Sequence, residues 1–337
     1  MTDGSLFLLG LAGPQLTAAE AAMFRRLRPA GYILGTRNIA TPAQTRKLTD
    51  NLRELSAAVP IIAIDQEDGG IASAGPPAAV LAARGDMGKI AAAGVLTGEL
   101  LRLLGFNLNL APVLDLDHFH NTENDLRGRC WGRDPQLVID YAGHWNRWQR
   151  KRGIASCAKK FPAGGRAVSA SRHDLPLCSA TLAELQREDV IPYTALMPEL
   201  DAIMMAHVGF PNIEPGIPAS LSPRIVRRFL RDQLGFDQHL VLTNDLDLDV
   251  ITRRYSCGDA VKLAIEAGND LAVICHPTAA AEGAAHIIYG LPRSLTAAAR
   301  ERIENFRYEK LRSLPVWSDN KWHNTCAALA KLATEFS

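Results

Sequence analysis

Short apolar runs recur along the chain, each followed by a stretch of helical periodicity. Eight of them read as strands: Leu6–Leu11, Gly31–Leu34, Ile61–Ile64, Leu108–Val113, Ile154–Ala158, Ala202–Ala206, Leu240–Leu242 and Leu271–Cys275. Most are continuously apolar rather than alternating, as strands covered on both faces of a parallel sheet are. Helix starts lie between them. Thr41-Pro42, Asp134-Pro135 and Ser222-Pro223 each place an N-cap oxygen ahead of a proline at the first helical position. Thr181-x-x-Glu184 is a capping-box pattern. Gly94 and Gly98 weaken the helix around 88–104 without abolishing it. Eight strand–helix units predict an α/β fold, a single (β/α)8 TIM-type barrel over residues 1–337, with 310–337 a C-terminal extension packed on or near the barrel. A doubly wound open sheet is the alternative, but no G-x-G-x-x-G follows the first strand.

Composition narrows the partners. Of 337 residues, 47% are hydrophobic and 22% charged, which is globular composition, and the formal net charge is +1. That balance gives no footing for nucleic acid or an anionic membrane surface. No apolar run reaches the ~18 residues a bilayer span needs. Leu6–Leu11 has no Lys or Arg before it, so it reads as a first strand rather than a signal peptide. Six scattered cysteines with no C-x-x-C pair read as free thiols of a cytoplasmic protein. No cofactor is indicated.

In such barrels the loops after the strands carry function. Those positions hold Asp65, Asp115, Asp117, Arg129, Lys159, Lys160, His207, Asn244, Asp245 and His276. Their convergence on one rim predicts a polar binding pocket. His118-Phe-His120 beside Asp115 and Asp117 is a grouping that could hold a metal, although solvent-facing histidines are the plainer reading, and no metal is expected.

Several segments form an ordered series: Gly31-Tyr-Ile-Leu-Gly-Thr-Arg-Asn38, Ile64-Asp-Gln-Glu-Asp-Gly-Gly70, Leu110-Ala-Pro-Val-Leu-Asp-Leu116, Arg129-Cys-Trp-Gly-Arg-Asp-Pro135, Lys159-Lys-Phe-Pro162, Met205-Ala-His-Val208, Pro218-Ala-Ser-Leu-Ser222 and Leu234-Gly-Phe-Asp237. Taken together they resemble glycoside hydrolase family 3 in its β-N-acetylglucosaminidase branch. The resemblance implies a retaining glycosidase with a carboxylate nucleophile after the seventh strand and a His–Asp acid/base on the loop after the fifth. It implies that Asp65, Arg129 and Lys159 bind a sugar or muropeptide ligand and that His207 lines the pocket; Lys160, which replaces the histidine of the family's K-H-F-P, is expected to contact the ligand as well.

The chain departs from that pattern where the chemistry should be. The nucleophile motif reads Thr243-Asn244-Asp245-Leu246, so Asn244 stands at the nucleophile position, and an amide cannot attack an anomeric carbon as a carboxylate does. On the loop, Ala170 and Arg172 replace the dyad Asp and His, and arginine cannot cycle as acid and base. The expectation is a family-3-like protein that binds a sugar without ordinary double-displacement turnover. One alternative is an active glycosidase using Asp245 and His173. Others are a metal-dependent barrel enzyme, or a scaffold using the segment Leu314–Ser337.

Overall fold

Each apolar run becomes a strand of a closed, all-parallel barrel. In the computed structural model, which describes residues 3–67, 77–118, 126, 128–169, 173–276 and 279–335, the barrel strands are β1 (Phe7–Leu9), β2 (Gly31–Leu34), β3 (Ile61–Ile64), β4 (Leu108–Asn109), β5 (Ala155–Phe161), β6 (Ala202–Met205), β9 (Leu240–Asp245) and β10 (Leu271–Ile274). Between the sixth and seventh barrel strands, β7 (Gly209–Phe210) and β8 (Glu214–Pro218) pair antiparallel as a separate ribbon. Because β1 pairs with both β2 and β10, the sheet closes, and the open-sheet alternative falls away. Every residue of β3, β6 and β10 is buried, which is why these runs carry no polar alternation.

Three strands differ in length from their apolar runs. β4 stops at Asn109, three residues before Pro112, which has no N–H to donate; single hydrogen bonds from the Leu110 N–H to Ile64 and from the Cys157 N–H to Ala111 carry the pairing on to the bridge between Val113 and Lys159. β5 continues through Lys159 and Lys160 to Phe161, so these lysines belong to the strand and not to the loop after it. β9 likewise runs on to Asp245, with an irregular register against β10 between Leu242 and Asp245.

The helix signals act as their chemistry dictates. The Thr41 hydroxyl accepts from the Gln44 N–H at 3.2 Å ahead of the helix Pro42–Leu55. Asp134 accepts from the Gln136 N–H at 2.7 Å ahead of Pro135–Arg150. The Thr181–Glu184 box opens Leu182–Arg187. Gly94 and Gly98 sit in the helix Met87–Leu104 because it lies directly on Pro135–Arg150: a Cβ at Gly94 would come within 2.4 Å of the Trp145 carbonyl oxygen. The helical propensity given up there permits close backbone approach.

At the N-terminal face of the barrel, buried acids tie strand starts to helices. Asp201, ahead of β6, accepts from Arg150 at 2.8 Å and from the Ser156 N–H at 3.0 Å. Asp270, ahead of β10, is fully buried between Arg231 and Arg302. The C-terminal helix Asp319–Thr334 buries Trp322, Thr325, Leu329 and Leu332 and packs on Met87–Leu104, where Lys89 and Glu335 pair at 3.1 Å. No helix among the described residues is long and apolar enough to cross a membrane.

Candidate functional site

At the C-terminal ends of the strands lies a cavity of about 260 Å³. Ile33, Leu34, Leu110, Met204 and Val273 form its apolar base. Arg37, Asp65, Lys159, Lys160, Asn244 and Asp245 supply its polar groups. Five of the sequence-selected residues therefore converge on one space: Asp65, Lys159, Lys160, Asn244 and Asp245.

Beside this space the charges interlock. The Lys159 ammonium, only 1% exposed, pairs with Asp65 at 2.6 Å and with Glu67. Arg129 grips Glu67 with two nitrogens, Nε to Oε2 at 2.7 Å and Nη2 to Oε1. Burial opposes ionisation of Glu67, but Lys159 and Arg129 outweigh it and hold the carboxyl well below the usual carboxylate range. Asp65 differs: its side chain is half exposed and faces the cavity. Arg129 does not line the cavity; it acts on it through Glu67 and Lys159. Lys160 does line it, and among the described residues no hydrogen bond or ion pair reaches its ammonium. Burial, with Arg129 and Lys159 nearby, pushes that ammonium below the usual lysine range.

Asn244 and Asp245 are adjacent on β9, and their side chains are engaged differently. The Asn244 Oδ1 accepts the Asp245 N–H at 2.9 Å, which fixes the amide and leaves its NH2 as the group without a protein partner among the described residues. The Asp245 carboxylate is bound to the backbone, accepting the N–H groups of Asp247 and Cys275, each at 3.1 Å. His207 is buried beneath Asp245 and does not line the cavity. Its Nε2–H donates to the Asp245 carbonyl at 2.9 Å, so its Nδ1 accepts from the Ser220 hydroxyl at 2.7 Å. Expected as a substrate contact, His207 instead spends both ring nitrogens on the scaffold.

The sequence profile described as the glycosyl hydrolase family 3 N-terminal domain matches residues 6–305. The chain belongs to that family. Among curated relatives, the beta-hexosaminidase of Pseudomonas aeruginosa is 32% identical over 290 residues, covering 83% of this chain and 85% of that protein. The beta-hexosaminidase of Stenotrophomonas maltophilia is 30% identical, covering 87% and 89%. Among solved structures, the family 3 beta-N-acetylglucosaminidase of Paenibacillus sp. str. FPU-7 superposes with a TM-score of 0.86 at 27% identity, over 98% of this chain and 67% of that one. Native NagZ from Neisseria gonorrhoeae gives 0.83 at 25% identity, over 99% and 98%.

In this family 3 chain the loop after β5 takes an unanticipated partner. His173 Nδ1 meets Asp249 Oδ2 at 2.7 Å, pairing that loop with the start of the short helix Asp249–Thr252 beyond β9. Both side chains are more than half exposed, and the neighbouring Leu248 lines the cavity. Ala170 and Arg172 lie outside the described residues. The metal grouping is redrawn. His120 lies outside the described residues, Asp115 is taken up by the N–H groups of Lys160 and Gly165, and His118 bonds Asp189 at 2.7 Å. His118, Glu188 and Asp189 lie close enough to share an ion, yet Arg166 already pairs with both acids.

Two site residues escaped the sequence reading. Glu67 sits inside the quoted Asp-Gln-Glu segment, but its worth comes from Arg129 and Lys159, far away in sequence. Arg37 sits in the quoted second-strand segment and donates to the carbonyls of Leu11 at 2.8 Å and Cys275 at 2.6 Å.

Two buried groups beneath the cavity make opposite contributions to acid stability. Burial pulls His207 down to about 4, against the pull of the Asp245 carbonyl. Burial lifts Asp115 to about 6, against its two backbone N–H donors. Below pH 6.5 the unfolded chain protonates its histidine first, so the His207 contribution falls by about 3 kcal/mol on the way to pH 4. Below pH 6 the folded chain protonates Asp115 first, so that contribution rises by a similar amount, about 3 kcal/mol. The two nearly cancel in the native protein. A His207→Gln variant keeps only the second, so its stability relative to the native protein should improve steadily from pH 7 to pH 4. Urea unfolding at three pH values checks the sign; a difference that is constant or moves the other way contradicts the assignment.

Proposed function

We propose that this protein is a sugar-binding member of family 3 in which ordinary double-displacement hydrolysis has been lost, and that the cavity between Asp65 and Asn244 is its ligand site. The observation that carries the proposal is the neutral amide of Asn244 in the cavity wall, at the position that matches the family's nucleophile. A retaining mechanism needs a carboxylate there to form the glycosyl-enzyme. Asp245 stands one residue beyond that position, and its Oδ1 is tied to the N–H groups of Asp247 and Cys275. Asp65 and the Lys159–Glu67–Arg129 cluster survive, and they are polar groups suited to holding sugar hydroxyls. The names of the beta-hexosaminidase relatives favour an amino sugar as the ligand. The six free cysteines suit a reducing cytoplasm.

Calorimetric titration with N-acetylglucosamine tests the site. Binding that Asp65→Ala weakens at least tenfold is expected; no heat with the native chain contradicts the proposal.

One observation favours a second reading. The His173–Asp249 pair, at 2.7 Å, has the composition of a histidine acid/base oriented by a carboxylate. In that reading the protein remains a glycosidase with a rebuilt dyad. Turnover of a β-N-acetylglucosaminide that disappears in Asp249→Ala would mark it.

A further inference from the structure

The cavity has exchanged negative charge for positive at its centre. Where the family pattern carries a carboxylate and a histidine, this chain has Asn244 and Lys160. Both side chains line the cavity, and among the described residues neither the Lys160 ammonium nor the Asn244 NH2 has a protein partner. The other cations are accounted for. Lys159 is neutralised by Asp65 and Glu67, Arg129 is clamped on Glu67, and the Arg37 guanidinium meets only the carbonyls of Leu11 and Cys275.

The nearby carboxylates are accounted for as well. Asp65 and Glu67 face Lys159. Asp115 is turned to the N–H groups of Lys160 and Gly165 and lies outside the cavity wall. Asp245 holds the N–H groups of Asp247 and Cys275. Of the two cavity lysines, Lys159 is paired with Asp65 and Glu67, whereas Lys160 has no ion pair or hydrogen bond on its ammonium among the described residues. The amide oxygen of Asn244 is committed to the Asp245 N–H, so toward the ligand that residue offers donors alone.

Building on the sugar-binding reading, we propose that the ligand is an acidic sugar, a monosaccharide unit carrying a carboxylate, bound with that carboxylate against Lys160 and Asn244. A carboxylate accepts from ammonium and amide together in charge-assisted hydrogen bonds, about twice as strong as neutral ones. A neutral hydroxyl would leave the half-buried ammonium without a counter-charge. An aspartate at 244 would repel the ligand that the asparagine admits.

The test is calorimetric titration of the full chain with D-glucuronate, D-gluconate, D-glucose and N-acetylglucosamine. At least one of the two acids should bind tenfold or more tightly than glucose, and which of them does so locates the carboxylate at C6 or C1. Lys160→Met should remove that preference, so that neither acid binds more tightly than glucose. Lys160→Arg should retain it, and Asn244→Asp should abolish it. Thermal melts of each variant separate loss of fold from loss of binding. N-acetylglucosamine bound as well as either acid, with Lys160→Met indifferent, overturns the acidic-sugar assignment and leaves the sugar site standing. No binding of any of the four overturns both.

Discussion

A Glu67→Gln variant should lose about 3–5 kcal/mol of unfolding free energy, the range found when one partner of a buried ion pair is removed. Glu67 is only 5% exposed and holds two cations at once, Lys159 at 1% exposure and Arg129. A glutamine can still accept one hydrogen bond, but it leaves Lys159 with the half-exposed Asp65 alone and Arg129 with a neutral partner. Because the Glu67 carboxyl is held well below its usual range, its contribution is complete at neutral pH and is lost progressively as the pH falls through and below the ordinary glutamate range. Asp65→Asn is the contrasting control. Its side chain is half in solvent, so an effect of about 1 kcal/mol or less on stability is expected, with its main effect on ligand binding. Urea unfolding of the two variants measures the difference; equal small losses would mean that the Glu67 cluster does not organise the site.

The second large effect belongs to the opposite face of the barrel. Asp270 accepts from Arg231 Nη2 at 2.7 Å, from the Val241 N–H at 2.8 Å and from Arg302 Nε at 2.9 Å, and it is fully buried. Asp270→Ala leaves Arg231, itself 7% exposed, as a buried cation facing only carbonyls, and leaves the Val241 N–H without a partner. The expected loss is again about 3–5 kcal/mol. Here, however, ligand affinity should be unchanged in the fraction that remains folded, since polar networks at the N-terminal face of such barrels support stability and the C-terminal face supports function. An altered affinity with intact folding would contradict that division.

The strands were legible because each is an apolar run buried on both faces, a property that needs no knowledge of the rest of the chain. Their ends were less so. β4 stops ahead of Pro112 within an apolar run, and Lys159 continues β5 past the point where a charge suggests a loop, because Glu67 supplies the counter-charge from 92 positions away. The ribbon of β7 and β8 was not anticipated: Glu214–Pro218 contains two prolines and no alternation. The pocket was legible as a set of strand-end residues, whereas its wiring was not. His207 looked like a ligand contact, but Ser220 and the Asp245 carbonyl occupy it. The partner of His173 is Asp249, and nothing local in either segment signals the other. Ion pairs between distant positions become visible only when the fold brings them together.

The central claim is that replacing a carboxylate by Asn244 removes the covalent step while leaving a ligand site. Removing the nucleophile of a covalent mechanism costs about 10^4–10^6 in kcat. The most direct test is turnover of 4-nitrophenyl N-acetyl-β-D-glucosaminide by the native chain across pH 4–9, beside the Asp245→Ala and His173→Ala variants. The account predicts no release of nitrophenol above the uncatalysed rate in any of the three. Sustained turnover by the native chain that either variant abolishes would contradict it and establish a working glycosidase.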